Sequence, residues 1–161
     1  LTPATKTAGG TAWILPNGTV NATNIEVFQD VQKMFFNLQA RNQGLIDVDS
    51  PLTLIMSPQS SVAMTVANGT VTTVTAWDLI KKAFPNLTLR TVPEYATASG
   101  QVVQMVVEEY EGQRTWDASF TEKMRAHPII QGLSSFKQKK SAGTWGTVIY
   151  RPTFVEQMLG V

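Results

Sequence analysis

The stretch VVQMVVEEY, residues 102–110, decides how the rest of the chain is read. Gln104 alone interrupts six residues that are otherwise Val and Met. Branched side chains of this kind favour a pleated backbone. A run without alternation reads as a strand covered on both faces, so its place is near the middle of a sheet. Two shorter runs offer it neighbours. LTLIM, residues 52–56, follows Pro51 and reads as a buried strand. LTLRTV, residues 87–92, alternates in part. The closing run TVIYRPTFVEQM, residues 147–158, reads as a strand broken at Pro152, which has no N–H to give.

Helices occupy the first half. Ile25, Phe28, Val31, Phe35 and Leu38 recur at three- and four-residue steps, predicting a helix over residues 24–41. Asn21, Thr23 and Asn24 are its candidate N-caps, and Gly44 its stop. Ser57-Pro58 reads as an N-cap followed by Pro in the first turn. That helix is expected to run through Val62, Met64 and Val66 to Asn68-Gly69. Thr75 and Asp78 form a capping-box variant before WDLIKKAF, which Pro85 closes. Residues 93–100 read as a loop. Residues 111–127 turn polar without a period and read as a long loop. Residues 133–139 alternate weakly as a strand, and SAGTWG, residues 141–146, as a Gly-rich turn. The result is a mixed α+β fold, helices first and strands second, with no internal repeat. The Thr-, Gly-, Pro- and Asn-rich opening, residues 1–24, reads as an extended arm anchored by Trp13, Ile14 and Leu15.

Composition narrows the function. The chain has 161 residues and no cysteine, so disulfides, zinc ribbons, iron–sulfur clusters and thiol catalysis are excluded. A chain of this length buries enough surface to need no such staple. Charged residues make up only 16%, against about 25% in ordinary soluble domains, and there are 20 Thr. A polar, weakly repelling surface suits a protein that lives against neighbours. Net charge is +1, so no global basic field points to nucleic acid. No apolar run approaches 18 residues, so no membrane partner is expected. The sequence opens on Leu1 without a signal-peptide pattern, which reads as a processed product or a piece of something longer.

Chemistry is thin. The one histidine, His127, precedes Pro128 and reads as a surface residue rather than a general base. Asp47 and Asp49 lack the Gly and distal Glu of a calcium loop. Glu108, Glu109 and Glu111 are the densest acids, and the first two point to opposite faces of a strand. No Gly-rich segment has phosphate-loop spacing and no nucleophile elbow exists, so neither a catalytic residue, a metal nor a cofactor is expected. Two other classes remain as alternatives. One is a small enzyme in which those glutamates work beside His127 or Arg114. The other is a glycan-bearing or carbohydrate-binding module using Trp13, Trp77, Trp116 and Trp145, with Asn17, Asn21, Asn68 and Asn86 in N-x-T sites.

The strongest asymmetry is charge. Residues 123–140 hold Lys123, Arg125, Lys137, Lys139 and Lys140 and no acid. With only Phe136 among them, stacking on single strands is not expected. Pairing with the Glu108–Glu111 acids of a neighbouring copy is, because such charges set register and orientation. Arg114, Lys123, Arg125, Lys137 and Lys139 are therefore expected at subunit contacts.

EGQRT (111–115), FTEKMRAHP (120–128) and SSFKQKKSAGTWGTVIYRP (134–152) resemble the C-terminal region of tailed-bacteriophage and prophage major capsid proteins. Upstream, AWDLIKKAFPNLTLRTVPEY (76–95) looks like the axial domain of the Hong Kong 97-type capsid fold. The resemblance covers residues 25–161. It implies an arm over residues 1–24, an axial domain over 25–132, and strands of the peripheral domain over 133–161. It also implies the C-terminal portion of a capsid protein, since the longer N-terminal half of such proteins is missing. The implied partners are copies of the chain in pentamers and hexamers, scaffold or portal proteins, and packaged double-stranded DNA that is contained rather than read. A bacterial nanocompartment shell, which shares the fold, is the nearest alternative.

Overall fold

In the computed structural model, residues 1–67, 74–98 and 100–161 are described. The helices are α1 (Asn24–Arg41), α2 (Pro58–Val62) and α3 (Ala76–Ala83). Around them the body contributes strands β1 (Leu52–Met56), β2 (Leu87–Thr91), β3 (Ala96–Thr97), β4 (Gly100–Val107), β5 (Glu109–Tyr110) and β6 (Gln113–Arg114). The chain then leaves the body through β7 (Trp116–Ser119), β8 (Glu122–Ala126) and β9 (Ile130–Gln131). It returns through β10 (Phe136–Lys137), β11 (Lys140–Gly143) and β12 (Gly146–Ile149), and ends in β13 (Val155–Leu159).

The body sheet runs β13-β4-β1-β2, with β3 also paired to β4. As its unbroken apolar run predicts, β4 lies inside this sheet, antiparallel to both β1 and β13. β1 pairs with β2 in parallel. Register places Leu54 beside Met105, and Met105 beside Glu156. One face therefore carries Leu52, Leu54, Met56, Val103, Met105, Val107 and Met158, all buried against the helices. Each buried side chain of this size contributes about 1.5–3 kcal/mol.

α1 begins with a reciprocal capping box. The Thr23 hydroxyl accepts from the Glu26 N–H at 3.3 Å, while Glu26 accepts from the Thr23 N–H at 2.8 Å. Its buried stripe is rotated from the expected one: Val27, Val31, Met34, Phe35 and Leu38 face the core, whereas Ile25 is 52% exposed. Asn24 turns inward to donate to the Val74 carbonyl at 3.0 Å, and Asp30 because the N-terminal segment needs its carboxylate. Asp30 accepts from Ala4 N–H at 3.1 Å, from Trp13 Nε1 at 2.8 Å and from the buried Lys6 ammonium. Residues 1–24 thus form a strap held to α1, with Trp13 wholly buried. Leu1 continues the strap onto β13, donating to the Gln157 carbonyl and accepting from the Leu159 N–H, both at 3.0 Å.

Four expectations are corrected. α2 ends at Val62 in a short 3-10 turn, Ala63–Thr65, rather than continuing through Val66. Hydroxyls of Ser61 and Thr65 bond back to the carbonyls of Pro58 and Val62, and Val66 turns to accept from the Ala76 N–H. The expected end at Asn68-Gly69 lies outside the described residues. Residues 111–127 are not a loop but mostly strand, because their hydrogen bonds go to residues 140–149. Both faces of that pairing leave the body, so neither imposes an apolar period. The weak strand at 133–139 shrinks to β10, since residues 132–135 make the reversal. Finally, SAGTWG does not reverse the chain. It carries β11 into β12 through a joint at residues 144–145, where the Trp145 N–H bonds to the Ser119 carbonyl at 2.9 Å.

Candidate functional site

The candidate functional surface is the long hairpin of residues 116–149, built from the pairs β7–β12, β8–β11 and β9–β10. The outgoing path, residues 116–131, has eleven residues in strand, and at about 3.3 Å per residue its full length cannot exceed about 50 Å. Phe120, Met124, Ile129, Ile130, Leu133, Phe136 and Trp145 all stand exposed on it. A two-stranded hairpin is marginally stable alone in water. A ribbon so rich in exposed apolar groups is a surface waiting for a neighbour.

Its root is fixed by residues the sequence did not single out. Thr115 is fully buried. Its N–H donates to the Glu108 carbonyl at 3.0 Å and its hydroxyl to the Val107 carbonyl. Its own carbonyl accepts from the Tyr150 N–H at 2.9 Å, tying both ends of the ribbon together. Arg151 lies over the rings of Tyr110 and Phe154, at 5.2 and 5.3 Å, and donates to Gln113 Oε1 at 3.1 Å. Those rings meet edge-on at 5.5 Å. A lone Thr between Arg114 and Trp116 carries no pattern in sequence, so only the register reveals it. Trp116 and Ile149, paired across the root, help line an apolar pocket with Ile55, Gln104, Val106 and Val155 of the sheet's outer face.

Lys123 and Arg125 lie on β8, Lys137 on β10, and Lys139 just before β11, all on the distal ribbon. The Lys139 carbonyl accepts from the His127 N–H at 2.9 Å, so these two face each other across the strands. Arg114 is separate. It sits on β6 at the root, opposite Glu109 in register. There it lines a cleft of about 420 Å³ with Glu108, Glu109, Trp116, Asp117 and Ala118. Glu108 is committed to the body through a hydrogen bond from the Thr53 hydroxyl.

The arrangement offers little chemistry. His127 Nε2 is 3.0 Å from Ser141 Oγ, which donates to Glu122 Oε2 at 3.2 Å. Serine stands between acid and imidazole here, whereas a nucleophilic triad needs the imidazole in the middle. The cleft that holds Glu108, Glu109 and Arg114 does not include His127, so it brings together only the Arg114 half of the enzyme alternative's constellation. Among the described residues, no three His, Asp or Glu side chains come together to hold a metal. Asp47 shapes a turn before β1, accepting from the Val48 N–H at 2.7 Å. The four tryptophans make no platform: Trp13 is core, Trp77 packs against it, and Trp116 and Trp145 stand on different parts of the ribbon. The amide nitrogens of Asn21 and Asn86 are engaged with the carbonyls of Gly9 and Asp49, while Asn68 lies outside the described residues. Among the described residues, no helix is long and apolar enough to cross a membrane.

Helix, buried sheet and projecting ribbon together form the fold of a phage capsid subunit. The solved capsid of Myoviridae phage XM1 matches with a TM-score of 0.73 at 10% identity, over 88% of this chain and 48% of that one. A virus-like particle from Pyrococcus furiosus matches less well, with a TM-score of 0.52 at 10% identity, over 82% of this chain and 51% of that one. The chain thus spans about half the length of each. No curated protein matches it in sequence. A sequence model of the Pa193 gp26 major capsid protein family matches residues 1–160, and the chain belongs to that family. It is a structural protein of the virion capsid, with the mixed α+β fold that the resemblance implied.

Proposed function

We propose that this chain builds capsomers with copies of itself, and that these close into an icosahedral shell around double-stranded DNA. The observation that carries the reading is the ribbon: exposed on both faces, apolar along its length and cationic toward its tip. Repeated head-to-tail contacts of one surface with a different surface generate rings when the rotation closes. Arg114, Lys123, Arg125, Lys137 and Lys139 lie at those contacts in this reading, the last four facing the acids of a neighbour and Arg114 beside the acids of the cleft that receives them. The ribbon straddles position 132, so we place the division between axial and peripheral parts at the ribbon root, near residues 115 and 150. The body sheet with its helices is then axial. Residues 133–149 belong with the outgoing strands in the peripheral part, while β13 stays in the body sheet. Scaffold and portal proteins are further partners, and DNA lies near the shell without base-specific contact.

Light scattering behind a sizing column, with negative-stain microscopy of the largest peak, tests the reading. Rings or hollow particles are expected. Monomers or dimers at every salt and pH tried would contradict it. A nanocompartment shell, favoured only by the weaker Pyrococcus likeness, would show particles filled with protein cargo instead of DNA.

A further inference from the structure

Resting on the shell reading, we propose that the ribbon tip of one copy docks in the cleft at the ribbon root of the next. The distal half of the ribbon and its root are complementary. The distal segment, residues 123–140, holds five of the thirteen basic residues and none of the twelve acids. The root cleft presents Glu108, Glu109 and Asp117 against the single Arg114, with Glu111 on the turn beside it. Trp116, 47% exposed, supplies an apolar wall. Leu133, Ile130 and Phe136 at the tip are exposed and need such a wall.

Geometry forbids the same pairing within one chain. The pairs β7–β12, β8–β11 and β9–β10 hold the outgoing and returning strands side by side, which carries the distal segment away from its own root. Thr115 and Arg151 tie the root to the body, which sets the direction in which the ribbon leaves it. A second copy is therefore the occupant that satisfies both ends. The contact is heterologous, and each copy has one tip to give and one cleft to offer.

The chain has no cysteine, which makes a direct test clean. Glu109→Cys and Lys137→Cys are introduced together, and assembled particles are treated with a short bismaleimide. A ladder of covalently joined chains is expected from the double variant, and none beyond background from either single variant. Charge exchange provides a second readout. Lys137→Glu with Lys139→Glu, or Glu109→Lys with Asp117→Lys, should each lower the assembled fraction about tenfold, and all four together should restore it. Particles of normal shape with neither ladder nor rescue would overturn the docking site while leaving the shell reading intact. Failure of the unsubstituted protein to form any particle would sink the shell reading itself, and this inference with it.

Discussion

Asp30 holds the N-terminal strap through a buried carboxylate that faces the Lys6 ammonium, the Trp13 indole and the Ala4 N–H. Removing one partner of a buried ion pair strands the other charge, at a cost of about 3–5 kcal/mol. Asp30→Ala should therefore lower stability by about that amount in urea denaturation, whereas Lys33→Ala, on the exposed side of α1, should change it little. Glu26 is the second anchor. Its burial works to raise its pKa, but hydrogen bonds from Thr23 and Thr7 overcome this and hold it at about 2. A carboxylate depressed in the folded state gives stability that is present above its unfolded pKa of about 4.3 and is lost as pH falls through 2. Glu26→Gln should flatten the fall in stability between about pH 4.5 and pH 2. A melting curve identical to wild type across that window would contradict the assignment. Thr23→Ala removes the cap and should cost about 1 kcal/mol. Thr23 stood among the sequence's candidate caps, but Lys6 as a core residue was not legible, because a lysine is almost never fully buried without a partner placed by tertiary structure.

At the scale of elements, the body reads well from sequence. α1 and β1 begin and end where periodicity and flanking residues put them, and β4 is central because Gln104 alone interrupts the apolar run 102–107. Local signals suffice there, since cap, core stripe and stop all agree. The ribbon was missed for a physical reason. Its strands rest on no core, so neither face needs apolar residues in alternation, and the pairing of Trp116 with Ile149 spans more than thirty residues. The ribbon should be separable. Because the Thr115 carbonyl and Tyr150 N–H are hydrogen-bonded at 2.9 Å, a two-residue Asn-Gly turn can replace residues 116–149. The shortened protein should keep a cooperative melt within a few degrees of the parent, but should no longer assemble. Loss of the folded body on excision would show that the ribbon is part of its core. Thr115→Val leaves the Val107 carbonyl without its donor and should cost about 1–3 kcal/mol.

At the scale of the whole molecule, charge is segregated along one long axis. The sequence showed this as a block of basic residues and a knot of acids. It could not show that the basic residues lie on the distal half of one ribbon and the acids about its root, since that follows from strand pairing. Nor could it show that Arg114 belongs with the acids and not with the other four basic residues. Exposed charge pairs are screened by salt, so assembly through them should weaken as ionic strength rises from 0.05 to about 0.5 M, with the melting temperature nearly unchanged. Assembly indifferent to salt would place the weight on the apolar residues of the ribbon instead.

The central claim is that this ribbon joins copies of the chain. The most direct measurement compares wild type with Arg125→Glu by light scattering and negative-stain microscopy, with thermal melts run alongside. The account predicts rings or shells for wild type, and small species for the variant at the same melting temperature. Equal assembly of the two proteins would contradict it.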